Sequence, residues 1–199
     1  MKNKSFRLTF RCPAREDSRL LAGSLAPFLE PGMLLSLEGS LGAGKTAFVE
    51  DLAGGAGFAP GTVSSPTFTI VQEYRSEEAL YPIFHFDVYR LEDAKEFYAA
   101  GLEEYFTAGG VCLMEWAERV EDVLPSERIE LTIEAEGPLN EEPLDFSRPL
   151  VLPEDRRSRL FFFETASPRE EEALRAWRHA PGFPEDLLIR EAAEGAPEA

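Results

Sequence analysis

The stretch MLLSLEGSLGAGKT, residues 33–46, decides the fold of this 199-residue chain. Its first five residues are almost all apolar, which is typical of a short strand buried on both faces. The eight residues GSLGAGKT match the pattern G-x-x-x-x-G-K-[ST] at every fixed position. Glycines in such a loop let the backbone curl so that several N–H groups point at phosphate oxygens, and the following helix adds the positive end of its dipole. The sequence therefore predicts a strand, a phosphate-binding loop and a helix in succession.

The polar residues of this loop have expected tasks on a bound nucleotide. The lysine reaches the β- and γ-phosphates, and the hydroxyl of the next residue binds magnesium. Lys45 is also the single basic residue between Arg19 and Arg75, so it supplies positive charge alone. We expect Lys45 to be catalytic and Thr46 to be a metal ligand. The candidate nucleotide-binding residues of the loop are Gly39, Ser40, Leu41, Gly42, Ala43, Gly44, Lys45 and Thr46.

Apolar runs alternate with helical patterns along the rest of the chain. Strand-like runs occupy residues 6–10, 81–87, 111–114, 128–134 and 159–163, and residues 63–71 start as a loop and become a strand. Helical patterns occupy residues 20–29, 47–53, 167–179 and 91–105, the last of which is interrupted at Gly101. Strands that alternate with helices predict a layered α/β fold with a largely parallel central sheet. We expect a domain over residues 1–165. Residues 166–199 are expected to form an acidic, partly helical extension, which beyond Pro181 is a poorly packed helix or frays.

Two of the apolar runs end in a carboxylate. Asp87 ends one run, and Glu115 directly follows another. A nucleotide triphosphatase needs an acidic group at a strand end to hold magnesium directly or through water, and ligands of such sheets bind at the carboxyl ends of the strands. Strand alternation puts His85 on the same face as Asp87, where we expect a structural histidine rather than a catalytic one. The loop at residues 64–67 carries hydroxyl groups and could close on the γ-phosphate.

The net charge of the chain disfavours binding to nucleic acid. The formal net charge is −17, and such an acidic surface repels phosphate backbones. Residues 1–19 are the exception, with six basic and two acidic residues.

Cys12 and Cys112 make no disulfide framework, which fits a reducing cytoplasm. No apolar run approaches the ~18–20 residues of a membrane span, and the first residues lack the apolar core of a secretory signal. We therefore expect a cytoplasmic protein without a membrane partner.

Taken together, the motifs resemble the TsaE (YjeE-type) P-loop ATPases of tRNA threonylcarbamoyladenosine modification. After GSLGAGKT come VSSPTFTI (63–70), HFDVYR (85–90), GLEE (101–104) and LMEW (113–116). The Walker-type loop alone is generic, but SPTF, HFDVYR and EW at these spacings are specific. The resemblance covers residues 5–136. It implies a three-layer αβα fold of the P-loop NTPase type and an ATPase, dependent on ATP and magnesium, that is weak alone and works with TsaD-like and TsaB-like partner proteins on a position-37 adenosine of tRNA.

The resemblance also implies roles for individual residues. Glu115 matches the carboxylate that holds the metal, and Asp87 matches a second carboxylate needed for hydrolysis. Thr67 falls in the switch-like loop, and Trp116 lies beside the nucleotide. A Gly-Arg pair near the nucleotide in the family has Arg148 as its candidate here, in a lengthened loop. Two positions depart from the family pattern, because Ala47 replaces a second hydroxyl and Ala117 replaces a proline.

Three other classes of nucleotide-binding protein fit parts of the pattern. A small-molecule P-loop kinase is the main alternative, but such enzymes use several arginines to clamp two sets of phosphates, and the sequence has no Arg-rich lid segment. A GTPase is disfavoured because the lysine and aspartate of a guanine-reading motif are missing. A subunit that senses nucleotide without hydrolysing it is disfavoured because both Asp87 and Glu115 are present.

Overall fold

The computed structural model describes residues 6–66, 69–137 and 157–193. The strands are β1 Phe6–Cys12, β2 Leu34–Glu38, β3 Val71–Tyr74, β4 Ile83–Asp87, β5 Val111–Glu115, β6 Ile129–Ala135, β7 Arg159–Thr165 and β8 Leu188–Ala193. The α-helices are α1 Arg15–Leu25, α2 Lys45–Gly55, α3 Ala94–Ala99 and α4 Pro168–Arg178. Short 3-10 helices cover Ala26–Phe28, Leu102–Thr107, Ala117–Val123 and Glu185–Leu187. Over these ranges, none of the helices combines the length and the hydropathy that crossing a membrane requires.

The eight strands form one sheet in the order β3-β4-β5-β2-β6-β7-β1-β8. The four central strands, β4, β5, β2 and β6, run parallel. Strands β3, β7, β1 and β8 flank them and pair antiparallel. The parallel centre explains the continuous apolar runs of β2, β4 and β5, because strands covered by helices on both faces need apolar residues on both. The prediction of an α/β fold with a parallel central sheet is confirmed.

Helices cover both faces of the sheet, which gives three layers. Helices α1, α2 and α4 pack against the face that carries Leu8, Leu35 and Leu131. Helix α3 and two of the 3-10 helices pack on the opposite face, against Phe84 and Met114. Alternate residues of the central strands therefore enter two separate apolar clusters, as the two-residue period of a strand requires.

The C-terminal part of the described chain joins this same sheet and core. Trp177 of α4 is fully buried against Phe10, Phe163 and Phe183. Over the described residues up to 193, the expectation of a loose helix or frayed end beyond Pro181 is wrong, because β8 pairs antiparallel with β1. Strand β1 offers an open edge of backbone hydrogen-bonding groups, and β8 satisfies it. The division of the chain at residue 165 stays a prediction.

Two predicted elements have their transitions fixed by residues with a left-handed backbone. Strand β3 begins at Val71, directly after Ile70, whose left-handed backbone with φ of 67° does not fit a strand. The Asp87 N–H donates to the Ile70 carbonyl at 2.8 Å and so holds this bend against β4. The helical pattern at residues 91–105 is divided into α3 and a 3-10 helix at Gly101, whose φ is 67°.

Candidate functional site

A pocket of about 450 Å³ opens at the carboxyl ends of the parallel strands. The predicted site residues that line it are Leu41, Gly42, Ala43, Gly44, Lys45, Thr46, Asp87, Glu115 and Trp116. Three residues that were not predicted complete the lining, namely Ala47, Ser65 and Tyr89. Gly39 and Ser40 contribute through their backbone carbonyls, which lie beneath Lys45. Thr67 and Arg148 lie outside the described residues. The structure therefore brings together, in one cavity, predicted residues from three separate stretches of sequence.

The loop between β2 and α2 depends on two glycines. Gly39 has φ of 144°, and a Cβ atom there would lie 2.4 Å from the carbonyl oxygen of Ile133. Gly44 has φ of 110° and ends the loop at the start of α2, where a Cβ atom would lie 3.1 Å from the Arg159 Nε. Side chains are strained at such φ values, so the backbone of this loop needs glycine at both points. Lys45, Thr46 and Ala47 of the first turn of α2 line the pocket, at the helix end where backbone N–H groups can bind an anion.

Lys45 is the cation of the pocket and is only 4% exposed. Its Nζ donates to the Gly39 carbonyl at 2.6 Å and to the Ser40 carbonyl at 3.1 Å, and it lies 3.5 Å from the centroid of the Trp116 ring. Burial lowers the pKa of Lys45, and the negative charges of Glu115, Glu118 and Asp87 partly oppose that shift. The ammonium group is thus held by two carbonyl groups and an aromatic ring. An anionic ligand binds an ammonium group more strongly than these neutral groups do and can take their place.

Thr46 and Glu115 place two oxygen ligands side by side. The Thr46 hydroxyl donates to Glu115 Oε2 at 3.0 Å. The other carboxylate oxygen, Glu115 Oε1, lies 2.9 Å from His85 Nε2. Magnesium binds proteins through one or two oxygen ligands and takes its remaining ligands from water and phosphates. The hydroxyl and the carboxylate therefore fit that ion, although the described residues contain no group of three or more His, Cys, Asp or Glu that could hold a metal by themselves.

Asp87 lies next to Glu115 because β4 and β5 are neighbouring parallel strands, with the two carboxylates in register. Asp87 Oδ1 accepts from the Tyr89 N–H at 3.1 Å, and Asp87 Oδ2 accepts from the Ser65 hydroxyl at 3.5 Å. Asp87 thus connects the end of β4 to the hydroxyl-bearing loop that precedes β3. Each oxygen of this carboxylate thus accepts a hydrogen bond, which fixes the orientation of the carboxylate in the pocket.

Trp116 has a left-handed backbone, with φ of 63°. Its N–H donates to the Leu37 carbonyl at 3.1 Å, which fixes the turn at the end of β5. A non-glycine residue in this conformation costs about 1–3 kcal/mol, and such strain is concentrated at functional sites. Here the turn directs the indole over Lys45 and against the Tyr89 ring, whose centroid lies 4.9 Å away.

Arg159 is a residue of this site that sequence reasoning missed. It begins β7, is buried, and donates from Nε to the Ala43 carbonyl at 2.8 Å and from Nη1 to the Arg157 carbonyl at 3.1 Å. Its guanidinium therefore supports the phosphate-type loop without lining the pocket. The only sequence signal was a basic residue at the start of a strand predicted to pair with residues 128–134.

Sequence comparisons show which known proteins this chain resembles. The family model described as "Threonylcarbamoyl adenosine biosynthesis protein TsaE" matches residues 12–142. A relative from Bacillus subtilis is 45% identical over 130 residues, which are 65% of this chain and 79% of the relative. A relative from Treponema pallidum is 38% identical over 125 residues, 62% of this chain and 90% of the relative. Both are named tRNA threonylcarbamoyladenosine biosynthesis protein TsaE.

A solved structure shares the fold. The crystal structure of Bacillus subtilis YdiB is 33% identical, superposes with a TM-score of 0.64, and is matched over 86% of this chain and 94% of that chain. These similarities support the family indicated by the motifs and give no support to a small-molecule kinase. The chain belongs to the TsaE family of threonylcarbamoyladenosine biosynthesis proteins.

Proposed function

We propose that this chain binds and hydrolyses ATP with magnesium, as an accessory subunit of the machinery that makes threonylcarbamoyladenosine at a position-37 adenosine of tRNA. The observation that carries the proposal is the convergence of Lys45, Thr46, Asp87 and Glu115 in one pocket at the start of α2. Backbone N–H groups, one ammonium group and two carboxylates are the parts from which P-loop nucleotide triphosphatases are built. Membership of the TsaE family supplies the biological setting.

The phosphates of ATP are expected along the loop at residues 39–46. Lys45 would give up the Gly39 and Ser40 carbonyls for the β- and γ-phosphates, because a charge-assisted bond to phosphate is stronger than a bond to a neutral carbonyl. Leu41 and Trp116 lie at the pocket and add apolar contact beside the nucleotide.

Hydrolysis is assigned to the two carboxylates. The Thr46 hydroxyl and Glu115 would hold magnesium, and when bound the ion neutralises charge that builds on the β- and γ-phosphates. Asp87 would orient the attacking water, with its own orientation set by the Tyr89 N–H and the Ser65 hydroxyl. Such catalysis depends on positioning and charge neutralisation and involves no covalent intermediate.

We propose that activity is weak in the isolated chain and increases with TsaD-like and TsaB-like partners. The support is the state of Lys45, whose ammonium group is bound by its own loop and by Trp116. Phosphates must displace these contacts, which lowers the net gain from binding. A partner that rearranges the turn at Trp116 would release Lys45.

The tRNA itself is left to the partners in this proposal. The basic segment at residues 1–19 was the one place where an acidic chain could hold tRNA, but its described arginines are paired with carboxylates. These pairs are Arg7 with Glu164, Arg11 with Glu136, and Arg15 and Arg19 with Asp51. These carboxylates offset part of the positive charge that would attract a phosphate backbone, so no tight direct tRNA binding is expected. The proposal puts the protein in the cytoplasm, where the free thiols Cys12 and Cys112 stay reduced.

ATP binding by the isolated chain tests this assignment. Lys45→Ala should weaken ATP binding by about 10–100-fold, as expected for the loss of a charge-assisted hydrogen bond worth about 1.5–3 kcal/mol. Lys95→Ala is the matched control, because Lys95 is an exposed lysine of α3 away from the pocket. Calorimetric titration measures both. Equal affinity of the two variants would contradict the phosphate-loop assignment.

A further inference from the structure

His85 is a buried histidine that contacts the carboxylate assigned to the metal. It lies on β4 with none of its surface exposed, and Glu115 is only 3% exposed. His85 Nε2 lies 2.9 Å from Glu115 Oε1, and Glu115 Oε2 accepts from the Thr46 hydroxyl at 3.0 Å. His85, Glu115 and Thr46 therefore form a continuous chain of hydrogen bonds from the sheet to the start of α2.

The direction of the hydrogen bond at His85 follows from the chemistry of the two groups. Both oxygens of an ionised carboxylate only accept hydrogen bonds, so the imidazole nitrogen that faces Glu115 must carry a proton. In the tautomer with its proton on Nε2, the ring has Nε2–H as its donor and Nδ1 as an acceptor. Within the described residues His85 Nδ1 has no hydrogen-bond partner.

An unpartnered buried acceptor makes His85 a poor choice for stability alone. Leaving such a nitrogen unpaired lowers the free energy of unfolding. An apolar side chain at this buried position of β4 would have no polar atom to leave unpaired. The donor at Nε2 is the feature that an apolar residue cannot supply. The side chain is therefore better explained by what it does to Glu115 than by core packing.

We propose that His85 is a positioning residue that orients the Glu115 carboxylate toward Thr46 and the metal. The terminal torsion of a glutamate is broad, so an unrestrained carboxylate samples many orientations. A bond from His85 Nε2–H to Oε1 fixes the plane of the carboxylate and directs Oε2 to the Thr46 hydroxyl. Partners of this kind orient metal ligands, and their loss typically lowers metal affinity or activity by about 10–100-fold. The inference rests on the proposed binding of magnesium with ATP.

Three substitutions separate positioning from packing. His85→Gln keeps an N–H donor near the place of Nε2, and His85→Asn carries the same amide one methylene shorter, out of reach of Glu115. His85→Phe keeps a ring and removes the donor. His179→Gln is the matched control, because His179 is exposed at the end of α4. ATP affinity is measured in magnesium and in EDTA for each variant, together with kcat, KM and the melting temperature.

The gain in ATP affinity on adding magnesium is the decisive quantity, since it reports the metal site without depending on turnover. We expect that gain and kcat to fall about 10–100-fold in His85→Asn and His85→Phe. ATP affinity in EDTA should stay unchanged, and His85→Gln should recover most of both losses. His85→Phe leaves the buried Glu115 Oε1 without its donor, so its melting temperature should fall. Unchanged ATP affinity in EDTA then shows that the variant is folded.

Three results would overturn the inference. One is a full magnesium effect in His85→Phe and His85→Asn. Another is an equal loss in His85→Gln and His85→Asn, which would show that the donor at Nε2 does not matter. The third is a loss of ATP affinity in EDTA that parallels a fall in melting temperature, which indicates packing alone. Absence of any magnesium effect in the wild-type chain would instead refute the proposed function.

Discussion

Arg159→Met removes the guanidinium that supports the phosphate-type loop while keeping an unbranched apolar stem. The variant loses the 2.8 Å bond from Nε to the Ala43 carbonyl, and Ala43 is buried. A buried carbonyl left without its donor costs about 1–3 kcal/mol. Taking about 2 kcal/mol, the melting temperature of a chain of this size should fall by about 4–8 °C. Without this support, ATP must also order the loop when it binds. The affinity for ATP should therefore fall about tenfold, which corresponds to about 1.4 kcal/mol.

Thermal unfolding and ATP titration of Arg159→Met check both numbers. Arg190→Met is the matched control, because Arg190 is an exposed arginine of β8, at the edge of the sheet away from the loop. That control should change the free energy of unfolding by about 0.5 kcal/mol or less. An Arg159→Met variant with wild-type melting temperature and wild-type ATP affinity would show that the loop keeps its shape without β7.

Two further predictions concern the rest of the fold. Burial raises the pKa of Cys12 and of Cys112 to about 12, and only the thiolate is nucleophilic, so both thiols should resist Ellman's reagent near neutral pH and react after unfolding. A fast reaction in the native protein would contradict their burial. Trp177→Ala should lower the free energy of unfolding by about 3–5 kcal/mol, because Trp177 is fully buried and its Nε1 donates to the Ser24 hydroxyl at 3.1 Å. A stability like that of the wild type in a denaturant titration would show that α4 is not part of the core.

The centre of the fold was predictable because its signals are local. The apolar run before GSLGAGKT and the glycines within it specify a strand, a loop and a helix without reference to the rest of the chain. Asp87 and Glu115 could likewise be identified as strand-end carboxylates. These two residues lie in register because β4 and β5 are neighbours in the sheet. That strand order cannot be predicted from local sequence patterns.

The C-terminal strand was missed because its partner is distant in sequence. Residues after Pro181 are acidic and rich in alanine, a composition that favours a helix or a frayed end. Pairing with the open edge of β1 outweighs that preference, and strand propensity is known to depend strongly on such context.

Roles that depend on side-chain direction were also out of reach of the sequence. Arg159 was read only as the first residue of a strand, yet its guanidinium turns toward Ala43. His85 was predicted to be structural, and its bond to Glu115 depends on the spacing of two neighbouring strands. The left-handed turns at Ile70 and Trp116 oppose the preferences of those residues, so sequence patterns could not predict them.

The most direct test of the proposed function is ATP turnover by the chain alone and in a mixture with TsaD-like and TsaB-like proteins. We expect slow magnesium-dependent hydrolysis by the chain alone and a several-fold increase with the partners. Glu115→Gln should still bind ATP but fail to hydrolyse it in either condition, because it removes the carboxylate beside Thr46. A chain that neither binds ATP nor increases turnover in the mixture, or a Glu115→Gln variant that hydrolyses ATP normally, would contradict the proposed function.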